Sequence, residues 1–315
     1  MSMTVASKEK FSDPLVTAKG EQRAWVDLKE LKTLWFNTGT LCNLACVNCY
    51  IESTPKNDAL VYLTHAEVVT YLDEIAREKL TTEEIGITGG EPFMNPDIIP
   101  IMGECLDRGF RLLVLTNAMR PMMKCEKELL ELKYKYGAAL TIRVSVDHFR
   151  QELHEEERGP RSWEPMMKGL KWLSDNGFTI DIAGRTRWGE GEDELRHGFD
   201  AFFKEHGIKI DARDKKQLML FPEMDEKAPV PEITTACWDI LGVKPDDMMC
   251  ATSRMVVKRK GDEKPSVMAC TLLAYDQQFN MGQTLKEASK SVHLNHPHCA
   301  KFCVLGGGVC SVNKG

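Results

Sequence analysis

From Leu34 to Phe221 the chain alternates short apolar runs with longer stretches whose apolar residues recur three and four positions apart. The short runs predict strands at 34–37, 85–88, 112–116, 140–146, 179–183 and 217–221. Runs such as Leu112-Leu113-Val114-Leu115 are apolar without alternation, as expected of a parallel strand covered on both faces. The longer stretches predict helices. One opens on the capping box Thr64-His65-Ala66-Glu67 and sets Val68, Leu72, Ile75 and Ala76 on one face. Others are expected at 97–108, 124–136, 163–175 and 192–205. Three of these end at a glycine suited to a helix C-terminus: Gly109, Gly177 and Gly207.

Strands alternating with helices imply parallel pairing through right-handed crossovers. The predicted fold is α/β: a partial (β/α)6 barrel of parallel strands, then a C-terminal cysteine-rich extension containing a β-hairpin. The expected division is a lead-in at 1–33, the barrel core at 34–225 and the extension at 226–315. In that extension 255–257 and 266–268 flank Lys258-Arg259-Lys260-Gly261-Asp262 and read as the hairpin. Its basic residues, with Arg254, are expected to be solvated at the tip or to meet an acidic substrate. Reactive groups of such a barrel belong at the C-terminal ends of the strands.

Composition narrows the partners. With 41 Lys and Arg against 47 Asp and Glu the net charge is −6, and no basic field is available for nucleic acid. No apolar stretch is long enough to span a bilayer, and the polar start lacks a signal peptide's apolar segment. The expectation is a cytoplasmic protein bound to neither membrane nor nucleic acid.

Eleven cysteines in a reducing compartment point to metal ligation rather than disulfides. Three, Cys42, Cys46 and Cys49, follow the first predicted strand. Three thiolates without a neighbouring fourth suit an iron–sulfur cluster with one open iron better than a closed four-ligand zinc site. Taken alone, the trio also fits a zinc knuckle that borrows a distant ligand, or free thiols. Cys105 and Cys125 fall in helical pattern and read as small buried residues. The second predicted strand runs into Gly89-Gly90-Glu91-Pro92. The glycines let backbone approach a ligand, strand-end carbonyls there can receive an ammonium, and Glu91 can position that contact or brace the loop. Alone, the motif also fits a plain turn.

In this order the Cys-x3-Cys-x2-Cys loop and the Gly-Gly-Glu-Pro turn resemble the radical S-adenosylmethionine (radical SAM) superfamily, over 34–221. The resemblance implies an enzyme in which Cys42, Cys46 and Cys49 hold a [4Fe–4S] cluster. S-adenosylmethionine would chelate the open iron, with its amino group received by Gly89, Gly90 and Glu91, and Pro92 belonging to the same cofactor-binding turn. Reductive cleavage would give a 5′-deoxyadenosyl radical that takes hydrogen from a substrate. One position departs: the family usually has an aromatic residue before the last cysteine, and here it is Asn48, followed by Tyr50. The likeness therefore does not extend to the adenine contact of that loop.

Further strand ends fit the same family. Asn117 closes strand three, and Ser145-Val146-Asp147 closes strand four, with His148 where a glycine is usual and His154-Glu155 and Arg158-Gly159 beyond. The resemblance implies cofactor contacts from Asn117, Ser145, Asp147 and Arg185, although Asp147 and Arg158 also fit a loop-bracing ion pair. Cys250, Cys270, Cys299, Cys303 and Cys310 resemble the auxiliary-cluster extension called SPASM, or its shorter form twitch. They imply a second [4Fe–4S] cluster, with a zinc site using His296 or His298 as the alternative. The implied partners are a small-molecule or peptide substrate and a reducing donor such as flavodoxin or ferredoxin. The stretch before the first strand is too short for the leader-binding domain common in peptide maturases. No catalytic residue is assigned. A non-enzymatic iron–sulfur or zinc protein for electron transfer or sensing is the competing reading.

Overall fold

The computed structural model describes residues 9–223 and 229–307. In chain order the strands are β1 Trp25–Val26, β2 Thr33–Asn37, β3 Glu84–Thr88, β4 Arg111–Thr116, β5 Leu140–Ser145, β6 Thr179–Arg185, β7 Leu218–Phe221, β8 Ser253–Val257, β9 Ser266–Met268, β10 Asn280–Gly282 and β11 Val292–His293. The helices are α1 His65–Arg77, α2 Ile98–Asp107, α3 Arg120–Met123, α4 Glu126–Tyr136, α5 Gln151–Arg158, α6 Trp163–Asp175, α7 Glu192–Glu205 and α8 Cys237–Leu241.

Strands β2 to β7 lie side by side in sequence order, all parallel, as the alternating pattern predicts. The α1 capping box forms: the Thr64 N–H donates to Glu67 Oε2 at 2.9 Å, and the Glu67 N–H to Thr64 Oγ1 at 3.3 Å. Gly109 and Gly177 end their helices with φ of +85° and +67°, where a side chain would be strained. Gln151–Arg158 forms an extra helix over the His154 and Arg158 motifs, which sequence analysis leaves unstructured. All of its residues but Leu153 are polar, so no apolar stripe marks it.

The C-terminal hairpin differs most from expectation. It joins the barrel sheet: β8 pairs parallel with β2, Trp35 facing Met255, while β9 and β10 follow antiparallel. All five residues of β8 are buried, which a hairpin projecting into solvent would not require. Arg254 is consequently not solvated. It is 1% exposed and donates to the carbonyls of Ala288, Cys250 and Ser253. Lys258 pairs with Glu67 at 2.5 Å and Lys260 with Asp58 at 2.6 Å. At the other end of the chain β1 pairs with β11, and the buried Arg23 holds Glu232 at 2.6 Å. No described helix is long and apolar enough to cross a membrane.

Register fixes what the barrel encloses. Leu115, Arg143 and Asp181 face one another across β4, β5 and β6. Ser145, Ala183 and Met219 do the same across β5, β6 and β7. Side chains alternate along each strand, so these residues share the inner face.

Candidate functional site

The loop after β2 is pinned backbone to backbone over the ends of β2 and β3. The Gly90 N–H donates to Gly39 O at 2.8 Å, and the Glu91 N–H to Leu41 O at 3.1 Å. A Cβ on Gly90 would lie 2.3 Å from Leu41 O, and one on Gly89, whose φ is +148°, 2.6 Å from Gly39 O. The paired glycines thus let the cysteine loop cross the turn, in addition to opening backbone toward the cavity that both line.

Cys42, Cys46 and Cys49 face one cavity with Gly89, Gly90, Asn117, Ser145, Asp147 and Arg185, enclosing about 1190 Å³ with its mouth counted. Nine candidate residues far apart in sequence therefore meet at the predicted end of the barrel. Burial pushes the Cys42 thiol up to about 12 and raises that of Cys46. Backbone N–H groups aim at two of the sulfurs, Leu44 at Cys42 Sγ (3.4 Å) and Ser53 at Cys49 Sγ (3.3 Å). Metal binding releases the thiol protons, and N–H donors of this kind stabilise bound thiolates. The donor set fits an iron–sulfur cluster. Among the described residues no three His, Cys, Asp or Glu side chains close on a single ion, whereas a cubane spreads its thiolates over separate irons.

Glu91 and Pro92 sit behind this wall. The buried Glu91 carboxylate accepts from Thr116 Oγ1 at 2.8 Å, the Asn117 N–H at 2.9 Å and the Phe93 N–H at 3.2 Å. It ties the β3 turn to the end of β4, although burial raises its carboxyl to about 7. Asn117 Nδ2 donates to Asn43 Oδ1 at 2.9 Å, inside the cysteine loop.

Asp147 takes Arg158 Nε at 2.5 Å and Arg185 Nε at 3.2 Å. Burial would raise its carboxyl, but the two guanidiniums outweigh burial and hold it below the ordinary range. The loop-bracing ion pair is therefore present. Arg185 also donates Nη2 to Asn48 O at 2.8 Å and stacks 4.6 Å over the Tyr50 ring, while its buried Nη1 has no partner.

Glu157 is a further residue of the site that carries no mark in the sequence. Fully buried on α5, it accepts from the Asn48 N–H at 2.8 Å, Asn48 Nδ2 at 2.9 Å and Arg187 Nη1 at 2.7 Å. Within a run of three glutamates nothing in the sequence marks the one that turns inward.

A second cavity, about 420 Å³, is lined by Cys250, Cys270, Cys299 and Cys303 with His298 and apolar neighbours. Burial pushes the Cys250 thiol up to about 12 and raises those of Cys270 and Cys299. A π-helical turn, Cys299–Val304, brings Cys299 and Cys303 to one side. Four sulfurs in a dry pocket fit a second cluster. Cys310 lies outside the described residues, and Cys237 is not in this wall. Leu272 lines both cavities and forms part of the partition between them.

The family model for the radical SAM superfamily matches residues 36–194, about half of the chain. The antilisterial bacteriocin subtilosin biosynthesis protein AlbA of Bacillus subtilis (strain 168) is 33% identical over 143 residues, 45% of this chain and 30% of AlbA. AdoMet-dependent heme synthase of Methanosarcina barkeri (strain Fusaro / DSM 804) is 30% identical over 142 residues, 45% of this chain and 38% of that protein. The matches thus span only 30% and 38% of these curated relatives. Streptococcus suis SuiB, solved with S-adenosylmethionine bound and with the precursor peptide SuiA bound, shares the fold: TM-score 0.58 in both. Identity is 14% and 15%, over 81% of this chain and 63% of SuiB.

Proposed function

Because this chain belongs to the radical SAM superfamily, we propose that its cysteine-lined cavity is the active site of an enzyme that cleaves S-adenosylmethionine reductively to modify an organic substrate. When bound, a [4Fe–4S] cluster on Cys42, Cys46 and Cys49 and the cofactor supply a 5′-deoxyadenosyl radical for hydrogen abstraction. The observation that carries the proposal is the meeting of those cysteines with Gly89, Gly90, Asn117, Ser145 and Arg185 in one cavity.

The remaining work falls to the chain's own groups. The backbone at Gly89 and Gly90 receives the cofactor's amino group. Arg185 holds its carboxylate, because Nη1 is a buried donor lacking a partner. Asp147 acts through Arg185 and Arg158, orienting both, and Glu91 and Glu157 fix the loops. Ser145 faces the ribose. The barrel wall keeps water from the reacting atoms. Cys250, Cys270, Cys299 and Cys303, with Cys310 as a further candidate, hold an auxiliary [4Fe–4S] cluster. Leu272 separates that site from the reaction cavity and suits it to take an electron from a product radical.

The 1–33, 34–225 and 226–315 division is best regarded as functional, since β8 completes the barrel sheet. AlbA and SuiB are named for bacteriocin biosynthesis and a precursor peptide, and the synthase for heme. A peptide, a tetrapyrrole or a small metabolite therefore fits as substrate, with a flavodoxin- or ferredoxin-type donor in the cytoplasm. The test is anaerobic reconstitution followed by dithionite reduction with S-adenosylmethionine. The reading predicts 5′-deoxyadenosine and methionine as products. A colourless zinc protein, or an iron protein that leaves the cofactor intact, would favour the electron-transfer or sensing alternative.

A further inference from the structure

Deeper in the barrel the same cavity carries polar groups that cofactor binding leaves without a role. Trp35, inward on β2, lies across Gly86 of β3: a Cβ there would be 2.4 Å from the indole carbons. The glycine fixes the ring. Trp35 is 1% exposed, and its Nε1 is a buried donor with no partner. Such a group is costly unless something accepts its hydrogen bond.

Arg143, inward on β5, lines the same wall and is 2% exposed. Its Nη2 meets Asp181 Oδ2 at 3.1 Å; Asp181 faces it on the same inner side of the sheet but is not part of the cavity lining. Burial raises the carboxyls of Asp181 and of nearby Glu84. The lining contains three arginines, Arg143, Arg158 and Arg185, and one aspartate, Asp147, while Asp181 and Glu157 pair with Arg143 and Arg185 from outside the lining.

Resting on the active-site reading above, we propose that this lower chamber binds a carboxylate of the substrate. Arg143 is the ion-pairing donor and Trp35 Nε1 the second donor, while Leu115, in register with Arg143, takes the adjoining hydrocarbon. Two sources share that chemistry: a free organic acid, or an acidic side chain of a peptide.

Calorimetry on the reconstituted, S-adenosylmethionine-loaded protein tests this with two acid–amide pairs. One is 3-phenylpropionate and 3-phenylpropionamide. The other is an acetylated, amidated alanine pentapeptide with a central glutamate, and its glutamine counterpart. At least one acid is expected to bind roughly tenfold or more tightly than its amide, the scale of a charge-assisted hydrogen bond. Which acid binds more tightly identifies the source. Arg143→Gln is expected to erase the preference. Trp35→Phe, which keeps a ring over Gly86, is expected to weaken acid binding several-fold and leave amide binding unchanged. The proposal is overturned if neither acid is preferred in the wild type, if the preference survives Arg143→Gln, or if Trp35→Phe leaves acid binding intact. Iron content and cofactor cleavage are measured on the same wild-type preparation. Intact cleavage without acid preference rejects this proposal alone, whereas absent iron or cleavage rejects the reading beneath it.

Discussion

Asn48 and Glu157 are joined twice, by the Asn48 N–H at 2.8 Å and its side-chain amide at 2.9 Å. An asparagine thus stands where the superfamily usually carries an aromatic residue, and it ties the middle of the cysteine loop to α5. The carboxylate also meets Arg187 and Arg185. It is the hub through which strand-end arginines hold the cluster loop. Removing one member of a buried ionic network costs about 3 kcal/mol or more, because the others are left uncompensated.

Glu157→Ala is therefore expected to lower stability by about 3 kcal/mol, a fall in melting temperature of roughly 4–5 °C for a chain of 315 residues. Iron loss from the reconstituted protein should also accelerate. Glu156→Gln is the control. Its carboxylate is half exposed, so its effect should stay within about 0.5 kcal/mol. Equal melting temperatures for the two variants would show that the network does not hold the loop.

Gly90→Ala should displace the cysteine loop, since the new Cβ would meet Leu41 O at 2.3 Å. Overpacking of this kind costs about 1–3 kcal/mol, and iron bound after reconstitution should fall with it. Gly103→Ala, inside α2 with nothing within 4 Å of the added carbon, should be neutral or stabilising by about 0.5–1 kcal/mol. Full iron content in Gly90→Ala would mean that the crossing is looser than described.

His154 gives a pH signature. It is fully buried, edge-on to Trp163, and neither ring nitrogen has a partner. Burial, with the nearby Arg158 charge adding to it, lowers its pKa from 6.5 to about 3. Between those values the unfolded chain holds a proton that the folded one refuses, so stability rises with pH. The contribution is complete above the unfolded pKa and is lost as pH falls toward the folded one. Urea midpoints from pH 7 to 5 should decline less steeply in His154→Leu than in wild type. The difference should not exceed about 1.4 kcal/mol per pH unit, one proton's worth. Parallel curves would show that His154 does not carry this titration.

The auxiliary site is tested by counting iron. Wild type should reconstitute with about eight irons and the Cys250→Ala/Cys270→Ala double variant with about four, one cubane each for two sites and one. An unchanged count would reject the second cluster.

The sequence reveals the barrel and its chemistry unevenly, for physical reasons. The parallel core is legible because its strands are continuously apolar and its helices carry caps, as at Thr64 and Gly177. The cysteine trio and Gly89-Gly90 are legible because their chemistry lies in adjacent residues. What pairs at long range is not. Met255-Val256-Val257 reads as a strand, yet nothing in it names β2 as its parallel neighbour. Arg254 looks like a solvated cation until the carbonyls of Cys250, Ser253 and Ala288 surround it. Glu157 and Trp35 are likewise ordinary residues whose roles depend on what the fold brings to them.

The central claim is an iron with a vacant coordination position facing Gly89 and Gly90. Electron paramagnetic resonance of the dithionite-reduced protein, recorded before and after adding S-adenosylmethionine, addresses it directly. The account predicts a reduced-cluster signal that changes shape when the cofactor is added and that disappears in Cys46→Ala, leaving the signal of the auxiliary site. A spectrum indifferent to the cofactor, or identical in Cys46→Ala, would contradict it.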